Sequence, residues 1–219
     1  MRHFDKEIDE LKEKLLRMSG IVEHAISESI AALQERDTAR AERVIESDAD
    51  VDRMELELDA ETLRLIATMQ PAAGDLRFVT TAMKITPELE RIADLAVDVC
   101  ERAIELNREP SLKPLNPRLA QMAQEMVRQA IDAFVRRDPV LAREVIERDD
   151  EVDLLTEQSF RELLTYMLED SRNISRAIRL TFVGKYFERM ADSATNICEM
   201  VVYLAEGKVI KHHHEPDER

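Results

Sequence analysis

Apolar residues return every three or four positions along most of the chain. From Phe4 to Gln34 they fall at Ile8, Leu11, Leu15, Met18, Val22 and Ala25, with Ser29 and Leu33 continuing the series. That is the period of a helix burying one stripe. Asp37 is the predicted N-cap of a second helix, its carboxylate accepting from amides that a helix start leaves open. This helix runs to about Met69, where Pro71 and Gly74 interrupt the pattern. Asp75 is the predicted cap of a third helix reaching about Leu106. Glu109 to Pro117, with three prolines in nine residues, reads as a linker. The period then resumes to about Val135 and restarts at Asp138-Pro139, a cap followed by a first-turn proline. It breaks between Asp170 and Asn173 and ends at Gly207. Six helices of up to about 30 residues, about 45 Å long, joined by short turns, predict antiparallel neighbours.

The pattern is also duplicated. Ile30, Ala32, Arg36-Asp37 and Val44-Ile45-Glu46 return 101 positions later as Ile131, Ala133, Arg137-Asp138 and Val145-Ile146-Glu147. Glu88 to Glu101 returns 98 positions later as Tyr186 to Glu199, repeating Glu90, Arg91, Ala93, Asp94, Ala96, Cys100 and Glu101. A period near 100 residues is domain-sized, not solenoid-sized. The expected fold is all-α: two elongated three-helix bundles related by pseudo-two-fold symmetry. The predicted division is 1–108 for the first bundle, 109–117 for the linker, 118–207 for the second bundle and 208–219 for a polar tail.

Composition narrows the function. Four glycines, 4% aromatic and 35% charged residues in 219 suit helices. A net charge of −15 repels nucleic acid and anionic lipid, so direct binding to either is not expected. No apolar run is long enough to span a bilayer, and the charged N-terminus is no signal-peptide core, which predicts a cytosolic protein without direct membrane insertion. Cys100 and Cys198 occupy equivalent repeat positions and read as small core residues, being neither a disulfide framework nor a zinc spacing.

The repeated residues that carry chemistry are acids. With Glu90 at zero on a helical wheel, Asp94, Asp98 and Glu101 fall near 40°, 80° and 20°, one narrow strip beside the buried seam. The last predicted helix, ending at Gly207, repeats it with Glu188, Asp192, Asn196 and Glu199. The second helix offers Asp48, Asp52, Glu55 and Asp59, and the fifth keeps Asp149 and Asp153. Like charges at i,i+4 destabilise a helix by a few tenths of a kcal/mol per pair, so such strips call for compensation. Arg91 and Arg189 point about 100° away, toward the strip's flank or another helix. Hard divalent or trivalent cations suit all-oxygen sites shared by adjacent helices. A solvated acidic face on an acidic protein is the plain alternative, and a carboxylate-bridged, metal-dependent phosphatase-like enzyme is another.

Other chemistries lack their residues. No Glu-x-x-His pair supports a di-iron oxidase. His24 reads as a tolerated helix-face histidine, and His212, His213 and His214 in the tail receive no function. There is no Gly-rich phosphate loop and no nucleophile motif.

Gln70-Pro-Ala-Ala-Gly-Asp-Leu-Arg77, Glu88-Leu-Glu-Arg-Ile-Ala-Asp94 and Lys185 to Glu199 resemble the PhoU family over nearly the whole chain. The family's Glu/Asp-x-x-x-Asp signature corresponds to Glu90/Asp94 and Glu188/Asp192, with Asp48/Asp52 and Asp149/Asp153 as companions. The tail from Tyr203 also resembles the family's ending. The resemblance implies multinuclear metal clusters on the acidic strips, iron foremost, with zinc, manganese, magnesium or nickel as alternatives. It implies homodimers, regulation without catalysis, and a repressor of the phosphate-starvation response. The implied partners are the ATPase subunit of the phosphate ABC transporter and a membrane sensor histidine kinase, which would bring the protein to the inner membrane's edge. Family members often have a histidine where this chain has Leu95 and Ser193. Asn196 stands opposite Asp98, and Thr156 opposite Glu55, so the two sites are expected to differ.

Overall fold

The structure, a computed structural model, describes residues 3–112 and 116–210. Lys113, Pro114 and Leu115 of the linker, and the three tail histidines, lie outside the described residues. Among the described residues seven α-helices and one 3-10 turn follow in order: α1 (His3–Glu35), α2 (Thr38–Met69), α3 (Ala73–Asn107), α4 (Pro117–Arg136), α5 (Pro139–Glu147), α6 (Asp149–Glu169), the turn Ser171–Asn173, and α7 (Ile174–Glu206). The fold is all-α, two three-helix bundles, with α1–α3 forming one. In the other, the fifth predicted helix is broken at Arg148 into α5 and α6, both lying against α7.

The interruption is slight: Arg148 keeps right-handed helical backbone (φ −83°, ψ −10°), and the Glu151 amide donates to its carbonyl at 3.1 Å. Asp149, Asp150 and Glu151 follow as consecutive acids. The Arg148 guanidinium is drawn toward α4, donating to Gln129 Oε1 at 2.8 Å and Glu125 Oε2 at 3.0 Å.

Turn chemistry follows the duplication. Arg36 and Arg137 both adopt left-handed backbone (φ 58° and 52°), and the aspartate after each caps the next helix. Asp37 accepts from the Arg40 amide at 3.0 Å; Asp138 accepts from Val140 and Leu141 at 2.9 and 3.1 Å. Gly207 ends α7 in the left-handed region, as its position predicts. The α2–α3 junction differs from expectation. Asp75 does not cap α3: the helix begins at Ala73 without a side-chain cap, leaving Asp75 in its first turn and Gly74 inside it. Left-handed Gln70 and Ala73 make the bend.

One continuous core joins the halves along the α3–α7 seam, with α1 and α4 meeting beside it. Phe78 of α3 stacks on Phe134 of α4, ring centroids 5.7 Å apart, and the Arg137 and Lys12 cations lie 5.2 and 5.6 Å from the Phe78 ring. Cys100 and Cys198 are free and buried, and burial pushes both thiols up to about 12. Buried Glu61 is held by Lys14.

Candidate carboxylate sites

On the first repeat, the outward edges of α2 and α3 bring five acids together. Asp48, Glu55 and Glu90 are half-buried, Asp52 and Asp94 exposed. Partial burial, then the negative charges of Asp94, Glu55, Asp52 and Asp48, push the Glu90 carboxyl up to about 7. Burial, then Asp52 and Asp94, push Asp48 up to about 6. Desolvation and crowding both disfavour the ionised form, and the mutual effects show the five carboxyls share one field. Asp59 lies further along α2 and is exposed.

Asp98 and Glu101, on the same wheel strip as Glu90, face a different setting. Asp98 is raised by burial, Glu101 and Asp94 but lowered by Arg102 and by Arg189 of α7. Tyr186 of α7 feels the same charges. Half a strip therefore looks toward α2 and half toward the other repeat.

The second repeat gathers Asp149, which is buried, half-buried Asp153 and Glu188, and Asp192. Asp192 is exposed at its edge, yet burial of the carboxyl, then Asp149, Glu188 and Asp153, push it up to about 6. Arg91 of the first repeat opposes that rise. Arg91 and Arg189 thus act reciprocally across the seam, each on an acid of the other half. Lys185 binds Glu188 at 2.7 Å. This partner sits three residues before Glu188, a spacing visible in the sequence. Glu199 is half-buried, seven residues beyond Asp192, and Asn196 crosses the seam to donate to Glu88 Oε1 at 3.2 Å.

Among the described residues, no three His, Cys, Asp or Glu side chains converge as they stand into a group able to hold a metal ion. The donor chemistry nonetheless fits a hard cation: each cluster is all oxygen, comes from two adjacent helices, and carries repulsion that a cation relieves. Binding would require the carboxylates to turn toward a common point. His24 is exposed on α1, bordering a groove shared with Glu23, Gln124, Glu125 and Arg128.

A duplicated three-helix scaffold with a carboxylate cluster on the same helix pair of each half defines a class of all-α tandem-bundle proteins. The PhoU domain profile matches residues 15–103 and again 117–201. A phosphate-specific transport system accessory protein PhoU homolog of Aquifex aeolicus is 44% identical over 211 residues, covering 95% of this chain and 96% of that protein. The accessory protein PhoU of Escherichia coli is 36% identical over 95% of this chain and 88% of its own length. The crystal structure of PhoU from Pseudomonas aeruginosa superposes with a TM-score of 0.91 at 38% identity, covering 94% of this chain and all of that one. The Streptococcus pneumoniae phosphate transport system regulatory protein PhoU gives 0.88 at 25% identity, covering 95% and 100%. The chain belongs to the PhoU family of phosphate-transport regulatory proteins.

Proposed function

We propose that this chain restrains phosphate uptake and the phosphate-starvation response by contact with other proteins. The observation that carries this reading is the match of both repeats to the PhoU domain, with relatives named as accessory proteins of phosphate transport aligning nearly end to end. The partners in this reading are the ATPase subunit of a phosphate ABC transporter and a sensor histidine kinase, met at the cytoplasmic face of the membrane, and the chain works as a homodimer. No helix among the described residues is long and apolar enough to cross a membrane, so membrane proximity would come from partners.

Metal binding belongs to the same proposal. Asp48, Asp52, Glu55, Glu90 and Asp94 would hold ions on the first repeat, and Asp149, Asp153, Glu188 and Asp192 on the second. Iron is the first choice. Bound ions supply positive charge that draws two helices of a bundle together. The residues' own part is to supply oxygen ligands from both helices and, without metal, to hold protons near neutrality at Glu90, Asp48 and Asp192. Elemental analysis of the purified protein tests occupancy.

Deleting the gene and measuring a phosphate-starvation reporter such as alkaline phosphatase in phosphate-replete medium tests the regulatory role. High activity is expected; unchanged activity overturns the reading.

A further inference from the structure

We propose that the outer face of the α6–α7 hairpin is a docking groove for a basic amphipathic helix of a partner protein, a proposal that rests on the contact-based reading above and gives it a surface. On α6, Asp153, Glu157, Phe160, Leu164 and Leu168 recur every three or four residues and share one strip; on α7, Ile174, Ile178, Thr181, Lys185 and Glu188 do the same. The helices are antiparallel, so the strips run side by side, apolar toward the 3-10 turn and charged toward mid-helix. Phe160, Leu164, Leu168, Ile174, Ile178 and neighbouring Phe182 are each at least 41% exposed. Exposed large apolar residues so concentrated mark a contact surface.

Where the strips change character lies a cavity of about 380 Å³, lined by Thr156, Ser159, Phe160, Leu163, Thr181 and Gly184 among others. Ser159 is 4% exposed, and its buried hydroxyl has no hydrogen-bond partner. The first repeat explains the space. At the duplicated positions it has Leu58 for Ser159, Met83 for Thr181 and Thr86 for Gly184, larger side chains in each case. Asp59, Thr80 and Lys84 likewise replace Phe160, Ile178 and Phe182. The opening is therefore particular to the second repeat, and the apolar track is fuller there, the first repeat keeping only Leu63 and Leu76 at the positions of Leu164 and Ile174.

Charge selects the occupant. In the metal-free chain the track leads into Asp153, Glu157 and Glu188; Arg161 binds Glu157 and Lys185 binds Glu188. Glu162 and Glu169 lie alongside, Asp170 is matched by Arg172, and with −15 on the whole chain the acids of the rim outnumber its cations. A second copy facing this one would bring acid against acid, whereas a helix apolar at one end and basic at the other satisfies both ends. From Asp153 to Leu168 the strip spans about 22 Å, about four turns. One apolar side chain of the partner fills the cavity, and its polar neighbour reaches the Ser159 hydroxyl.

The test uses the full chain and a fluorescent synthetic helix of about four turns, with leucines on one face toward one end and lysines toward the other. Fluorescence anisotropy should show binding that falls about tenfold or more in Ile178→Glu, in Leu164→Glu, and when glutamate replaces the peptide's lysines. The double variant Ser159→Leu/Thr181→Met, which fills the cavity with first-repeat residues, should also weaken binding while leaving thermal stability intact. Leu63→Glu on the first repeat should change nothing. Equal binding across these variants overturns the proposal, as does a scrambled peptide binding equally well. An Ile178→Glu change that dissociates a dimer assigns the face to a second copy and also overturns it. In cells, folded Ile178→Glu should fail to restore repression to a deletion strain that the wild-type chain restores. Restoration by both sinks the groove alone, and restoration by neither sinks the regulatory reading.

Discussion

In the first repeat, Glu90 sits among Asp48, Asp52, Glu55 and Asp94, and every charge pushing its carboxyl up is another carboxylate. In the second, the matching group has Thr156 in place of Glu55, Lys185 on Glu188 and Arg91 acting from across the seam. The duplicated acids therefore differ in degree: Asp192, like Asp48, is pushed up to about 6 by burial and neighbouring carboxylates, but only Asp192 has an arginine opposing the rise. Duplication preserved the scaffold and let the charge balance drift, so the second cluster carries part of its own compensation.

The strongest way to break this comparison is to ask whether the halves are separate at all. Phe187→Ala removes a fully buried ring from α7 and should cost about 3–5 kcal/mol. Because the core runs unbroken across the α3–α7 seam, urea unfolding of the variant should remain one transition. Two resolved transitions would show two independent units.

The next effect sharpens the contrast. Titrated with manganese or ferrous iron by calorimetry, Asp94→Asn should lower affinity about tenfold or more, and Asp192→Asn should do less. Thr156→Glu, which restores the acid of the first repeat, should strengthen binding in the second several-fold. Equal losses in the two asparagine variants would mean the differing surroundings do not matter.

The smallest effect is on metal-free stability. Glu90 rises from an ordinary 4.5 to about 7, so between those values the folded chain holds the proton more tightly than the unfolded one. Its contribution is greatest below about pH 4.5 and is lost as pH rises through 7. Glu90→Gln should therefore match the wild type near pH 5 and exceed it at pH 8 by at most about 1 kcal/mol, allowing for solvent screening. Thermal melts at the two pH values measure this, and an equal difference at both would contradict it.

Much of this was legible in the chain because it is local. Asp37 and Asp138 carry capping chemistry in the one place where open amides need it, and the 101- and 98-residue offsets give the duplication. The break at Arg148 was not legible, since neither proline nor glycine marks it. It is a single residue of right-handed helical backbone whose side chain is held by Glu125 and Gln129, a tertiary contact that local pattern does not show. Gly74 and Asp75 misled for the opposite reason: the bend belongs to Gln70 and Ala73, residue types that seldom turn left-handed. Helical spacing put Asp98 and Glu101 with Glu90. Only the packing of α7 shows that Arg189 faces them, and only the comparison of Ser159, Thr181 and Gly184 with Leu58, Met83 and Thr86 reveals where one repeat opened.

The seam between α3 and α7 has a further consequence. Arg179 of α7 reaches Glu105 and Glu109 at 2.8 Å, and Phe78 of α3 rests on Phe134 of α4. These are the ingredients of a subunit interface, so the covalent connection from α3 to α4 keeps one half at high local concentration around the other. Severed there, the polypeptide would become a heterodimer whose assembly depends on concentration, a split protein whose two fragments can be expressed apart and brought together to restore the whole.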